Sequence, residues 1–258
     1  GLGVCASPDG SHEGQVQEFI STELGKEGKV TKWIHKINSK YLHQHDVYLS
    51  ATQSIFKSIG YILPATSMST SECTRIDKKL HRTFLPKIGV ARNLPLVYRY
   101  CPIRFQGLGS LNIEVSQFIS KIKLFLFHAN QPTQIGRSIQ ATMESLHLLV
   151  GVNNPILTLP FSKFGFLPGT SWITHLRELL HKYDVSLEGS YVKSNIACNG
   201  DFSLTEKLVY SEMMNQNQML SVNRCRVYLR VQNFSDLVNG MGNKIIPAYL
   251  HGKIRVRQ

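Results

Sequence analysis

The sequence has no apolar run near the roughly 18 residues that a membrane span needs. Its longest, residues 124–127 and 146–152, are short and flanked or broken by His or Gly. A membrane-spanning helix is therefore not expected. Cysteine is scarce: Cys5, Cys73, Cys101, Cys198 and Cys225 are odd in number, and none lies near another. That spacing excludes a CxxC zinc site and argues against a disulfide framework. The thiols are expected to serve mostly as small buried apolar groups in a reducing compartment, intracellular (nuclear or cytoplasmic) and not secreted. The opening GLGVCASPDG has neither an initiator Met nor a basic leader region, which excludes a signal peptide and reads as a cut through a longer polypeptide.

Catalytic signatures are missing too. There is no GxxxxGK[ST] phosphate loop, no HExxH, no GxSxG and no Asp-Asp pair. In CPIRFQGLGSLNI (residues 101–113), Gly107 and Gly109 precede an apolar helix-like stretch, but the third glycine of a GxGxxG loop is absent. Pro102 and the two glycines suit a turn that redirects the chain into the next helix. His43 and His45 flank Gln44, where a polar helix start outweighs a metal site. Asp184 and Glu188 read as solvated loop acids. Cys225 between Arg224 and Arg226 has no His or Asp nearby in sequence to support nucleophilic use.

What is present is positive charge. The 258 residues carry 29 Lys and Arg against 17 Asp and Glu, a net charge of +12. The hydrophobic fraction of 42% and charged fraction of 18% fit a globular chain, long enough for one large domain or two small ones. Residues 29–104 hold 13 Lys and Arg against only Asp46, Glu72 and Asp77, a net of +10, whereas residues 1–28 are at −4. A concentration of this kind implies an anionic partner, most often nucleic acid.

Apolar spacing of three and four predicts helices over residues 12–41, with a break at Gly25 and Gly28, and over 47–59. A third starts at STSE, where Ser69 and Glu72 form a capping box, and runs to about Phe84, before Pro86. Further helices are expected at 111–128, 133–149, 171–183 and 203–215. Residues 223–231 alternate like a strand but continue a helix-compatible run, and helix is favoured on length. Strands are expected near residues 2–4, at 185–195, and as a small hairpin near the C-terminus. The fold class is mainly α: a short N-terminal strand and a helical bundle over residues 1–104, then a second helical region over 105–258, with minor β-strands.

Two of these helices present basic faces. Lys29, Lys32, Lys36 and Lys40 recur at steps of three, four and four, beside an apolar stripe containing Val30, Trp33 and Ile37. Arg75, Lys78, Lys79 and Arg82 form a second stripe, opposite Cys73, Ile76, Leu80 and Phe84. Such faces can follow a phosphate backbone without reading sequence. The candidate nucleic-acid contacts are Lys32, Lys36, Lys40, Arg75, Lys78, Lys79 and Arg82, together with Arg104, Arg224, Arg226 and Arg230.

The succession LGV…PDG (residues 2–10), YILPAT (61–66), GVARNLPLVYRYCPIRFQGLG (89–109), SWI (171–173) and NRCRVYL (223–229) resembles the region downstream of the polymerase palm in reverse transcriptases of non-LTR (LINE-like) retrotransposons. The resemblance lies in order and spacing over nearly the whole chain. It implies the thumb and C-terminal part of an RNA-directed DNA polymerase. Catalysis in that family uses palm aspartates in a Tyr-x-Asp-Asp setting that hold divalent metal (Mg), and no position of this chain matches them. The resemblance thus implies a non-catalytic fragment with no cofactor of its own. Its partners would be an RNA template with its DNA product and an upstream palm, and the thumb's grip on the duplex carries onto the helices of residues 12–88. Two other readings stand beside it. One is a helical protein-interaction domain whose basic surface binds an acidic protein. The other is a self-contained enzyme built on scattered His and acids.

Overall fold

The computed structural model of the chain is mainly α-helical, as expected. It describes Val4, residues 12–187 and residues 200–238. The expected N-terminal strand beyond Val4, the C-terminal hairpin and residues 188–195 of the expected strand lie outside the described residues, and residues 185–187 are not strand. Between described residues, β pairing is limited to one antiparallel bridge, Ser203 to Asn233. Among the described residues no helix is long and apolar enough to cross a membrane. The chain divides into two compact units, Gly1–Leu124 and Phe125–Gln258.

In the first unit, α1 (Glu13–Ile20) and α2 (Lys29–Ser39) are separated at the expected break, with Gly28 as the N-cap of α2. Next, α3 (Gln44–Ser50) leads through a π-helical turn (Ala51–Ile55) into α4 (Phe56–Ile62). This run starts earlier than the apolar spacing suggests and continues through Gly60, stopping just before Pro64. His43 is the N-cap of α3, its Nδ1 accepting the amide of His45, so the His pair marks a helix start. Helix α5 (Thr70–Lys87) opens with the expected capping box: Ser69 Oγ accepts the amide of Glu72, and the Glu72 carboxylate accepts the amide of Ser69 at 2.7 Å. It runs one residue past Pro86, whose missing N–H is tolerated in the closing turn.

The apolar faces meet in one core. Phe19 of α1, Trp33 of α2, Ile59 of α4 and Leu80 and Phe84 of α5 are buried in it, and Phe56 meets the Phe84 ring edge-on at 5.6 Å. After α6 (Leu96–Tyr100), the start of α7 (Ile113–His128) joins the same core. Ile113 is fully buried, Leu108 and Leu111 pack against the cluster, and the Gln117 amide bonds both the N–H and the carbonyl of Met68. These contacts place the break between the units within α7, beyond the boundary at 104 expected from composition.

The second unit holds α8 (Gln134–Val150), the short α9 (Phe161–Phe164), α10 (Trp172–Lys182), α11 (Leu204–Ser211) and α12 (Gln216–Leu229). The ambiguous stretch 223–231 is thus largely helical. Thr133, Ser171, Ser203 and Asn215 cap helix starts with side-chain oxygens, as short polar residues before apolar runs do. Helix α8 packs against α10 and α12 around Met143, Leu146, Leu176 and Met219.

Candidate nucleic-acid interface

The basic stripes of α2 and α5 belong to helices that both pack against α1 and against each other. Their members divide into two groups. On α5, the Arg75 guanidinium grips Glu13 of α1 with two hydrogen bonds, at 2.8 and 3.0 Å, and holds that carboxyl below its usual range. Lys79 donates to the carbonyl of Ile20, the last residue of α1, at 2.6 Å, and partial burial lowers its pKa. On α2, Lys29 pairs with Glu18 of α1 at 2.7 Å. These three cations fasten the helices together.

The remaining five are available. Lys32, Lys36, Lys40, Lys78 and Arg82 are exposed, and among the described residues no acid lies within ion-pair distance of any of them. Lys40 is the C-cap residue of α2, where positive charge also complements the helix dipole. Charged side chains kept in water by short, amphipathic helices cost little to hold there, and they stay free for an incoming anion.

The arginines outside these helices fall differently. Arg104 is exposed and lies over the Phe105 ring at 4.7 Å. Arg224 and Arg230 are exposed, with Arg230 in the left-handed conformation at the end of α12. Arg226 is a correction: it is buried, at 7% exposure, and each nitrogen of its guanidinium is hydrogen-bonded. It donates to the carbonyls of Leu148 and Leu149 at 2.6 and 2.7 Å, to that of Val231 at 3.3 Å and to Asn223 Oδ1 at 3.0 Å. Leu148 and Leu149 sit in the last turn of α8, where carbonyls lack helical partners and a cation is favoured. Gly151 closes that helix at φ +70°, and a Cβ there would strike the Arg226 guanidinium. Arg226 therefore caps a helix and leaves the phosphate candidates.

Sequence reasoning missed a buried polar cluster on the inner side of α5. His81 Nε2 and Ser110 Oγ are 2.6 Å apart, and His81 Nδ1 lies 2.9 Å from the Asp77 carbonyl oxygen. Tyr100 donates to the Asp77 carboxyl at 3.4 Å. Burial pushes Asp77 up to about 7 and His81 down to about 4. Although His81 Nδ1 approaches Asp77 Oδ1 at 3.8 Å, burial favours the neutral form of each, so the contact is not a fully charged ion pair. Ser110, His81 and Asp77 follow the order of a nucleophilic triad. However, Ser110 and His81 are buried and the carboxylate is not the hydrogen-bond partner of Nδ1, so the cluster's role is to fasten residues 98–113 to α5. A second buried amine, Lys121, donates to Ser67 Oγ at 2.7 Å, and burial pushes it down to about 7. Among the described residues no three His, Cys, Asp or Glu side chains converge as metal ligands would. Of the cysteines, Cys73 is in the core, Cys101 is half-buried and Cys225 is exposed.

Comparison with known protein families, with characterised proteins and with solved structures finds no match to the chain.

Proposed function

We propose that this chain binds an RNA–DNA duplex through phosphate contacts from Lys32, Lys36, Lys40, Lys78 and Arg82. In this reading it serves as the thumb and downstream helical part of a retroelement reverse transcriptase. A palm elsewhere would hold the catalytic aspartates and their divalent metal. The observation that carries the reading is the division of the two basic stripes. The inner cations fasten α2 and α5 to α1, and five outer ones remain in water with no acid beside them among the described residues. Arg104 is a further candidate phosphate contact of the first unit, and Arg224 and Arg230 are candidate contacts of the second unit by itself. Contacts of this type position a duplex without reading its sequence.

The test is affinity for a blunt RNA–DNA duplex near physiological salt, measured with an acidic protein as competitor. Binding that is retained against the competitor, and lost when the five outer cations are changed to Ala, supports the reading. Displacement by the acidic protein, or equal affinity of the five-fold variant, contradicts it and favours the protein-interaction reading.

A further inference from the structure

We propose that residues 96–106 form a stacking platform for unpaired nucleotides. The platform extends the proposed duplex grip to a single strand, and so it rests on that reading. The segment is α6, a 3-10 turn (Ile103–Phe105) and the residues that close them into a lobe. The lobe satisfies its own backbone. The amide of Leu108 donates to the Tyr98 carbonyl at 2.9 Å, that of Ser110 to Arg99 at 3.1 Å and that of Gly109 to Cys101 at 2.8 Å. Gly107 permits this closure, because a Cβ there would collide with the Cys101 carbonyl. The base of the lobe is fixed from outside by Tyr100 to Asp77, by His81 to Ser110, and by Tyr48, whose hydroxyl donates to the Leu108 carbonyl at 3.0 Å.

A segment held this firmly nonetheless displays its large apolar side chains. Leu96, Val97, Tyr98, Ile103 and Phe105 are between 59% and 76% exposed. The charge of the chain segment points to the occupant. Residues 78–113 contain seven Lys or Arg and no Asp or Glu, and of these Arg104 is exposed within the lobe itself. The Arg104 guanidinium lies 4.7 Å from the centre of the Phe105 ring, which leaves a ring and a guanidinium presented together. Arg99 is held by the Arg92 and Leu94 carbonyls, but exposed Tyr98 and Phe105 with the exposed Arg104 suit the faces of bases and a phosphate between them. A duplex hides its base faces, so Tyr98 and Phe105 can be used only by unpaired nucleotides. A protein partner for such a patch would bring its own apolar face and a rim of mixed charge; the cationic excess of the segment, whose neighbouring carboxyl Asp77 is largely buried against Tyr100, favours the nucleic acid.

The experiment uses the full chain, with a 20-nucleotide oligouridine, a blunt RNA–DNA duplex and the same duplex with a single-stranded RNA overhang. Tyr98→Ala/Phe105→Ala is expected to weaken oligouridine binding by roughly 25-fold or more, about fivefold per ring, and to remove the gain from the overhang. Blunt-duplex affinity stays unchanged. In the unaltered protein, 4-thiouridine in the oligonucleotide is expected to photocrosslink within residues 96–106. Equal oligouridine affinity of the double variant, or crosslinks only elsewhere, overturns the platform while leaving the duplex reading intact. Loss of blunt-duplex binding to the same degree also overturns it. If the unaltered protein binds none of the three probes, the duplex reading fails as well, and the lobe becomes a protein-docking surface.

Discussion

Arg82 of α5 and Arg226 of α12 are both arginines within cationic runs, at Lys78–Lys79–Arg82 and Arg224–Arg226–Arg230. Their fates are opposite. Arg82 stands in water with no acid partner among the described residues, and Arg226 is buried against the end of α8. The difference comes from what lies within reach of each side chain. Helix α12 packs on α8, whose last carbonyls need donors, and a guanidinium supplies several at once. The outer face of α5 meets no such need at Lys78 and Arg82, while Arg75 and Lys79 on the same stripe find Glu13 and the Ile20 carbonyl. A cation thus becomes structural when an unsatisfied acceptor faces it, and remains available otherwise.

The sharpest break in this comparison is Arg226→Ala. It leaves the Leu148 and Leu149 carbonyls without donors and opens a cavity, and is expected to destabilise the second unit by about 3 kcal/mol in thermal denaturation. Arg226→Lys should recover only part of this, since an ammonium cannot reproduce the planar fork. If instead Arg226→Ala keeps full stability and lowers duplex affinity, Arg226 is a phosphate contact and not a helix cap.

The inner face of α5 offers a second test through pH. The folded pKa of Asp77, about 7, lies above its ordinary 3.8, so the buried carboxylate detracts from stability progressively as pH rises from about 4 through 7. His81 runs the other way: its folded pKa, about 4, lies below 6.5, so stability falls as pH drops from 6.5 toward 4. The two slopes oppose each other up to about pH 6.5, and above it Asp77 acts alone. Asp77→Asn removes the carboxylate's share. Its stability relative to the unaltered protein should improve by about 2 kcal/mol between pH 5 and pH 8. A pH-independent difference would show that the carboxyl is not desolvated in the fold.

Smaller effects separate members of one stripe. Lys78→Ala/Arg82→Ala should weaken duplex binding by about tenfold, as loss of two phosphate contacts does at moderate salt, without changing the melting temperature. Arg75→Ala should do the reverse on a smaller scale, lowering the melting temperature only slightly, because the Glu13 pair is solvent-exposed. Its effect on affinity should be minor. Equal binding losses for the two variants would erase the division between inner and outer cations.

The features legible in the sequence were those written locally. The STSE cap of α5, the break at Gly25 and Gly28, and the helical choice for 223–229 all rest on residues a few positions apart. The π-helical turn at Ala51–Ile55 carries no such signature, and the expected helix start at 47 missed Gln44 for lack of an apolar marker. The site was half legible. Spacing put four cations on each face, but it could not show that Arg75 meets Glu13, 62 residues earlier, or that Arg226 meets Leu148, 78 residues earlier. The buried Asp77–His81–Ser110 cluster also joins α5 to a loop residue 29 positions beyond His81. For the lobe at 96–106 the turn residues were visible, yet its self-closure and its exposed rings belong to the tertiary structure.

The most direct measurement is the salt dependence of RNA–DNA duplex affinity for the unaltered protein and for Lys78→Ala/Arg82→Ala. With each phosphate contact contributing about 0.9 to the log–log slope on a B-like duplex, the double variant should bind with a slope shallower by about 2. Parallel lines for the two proteins, or affinity that does not fall with salt, would contradict the assignment of these helices as a phosphate-gripping surface.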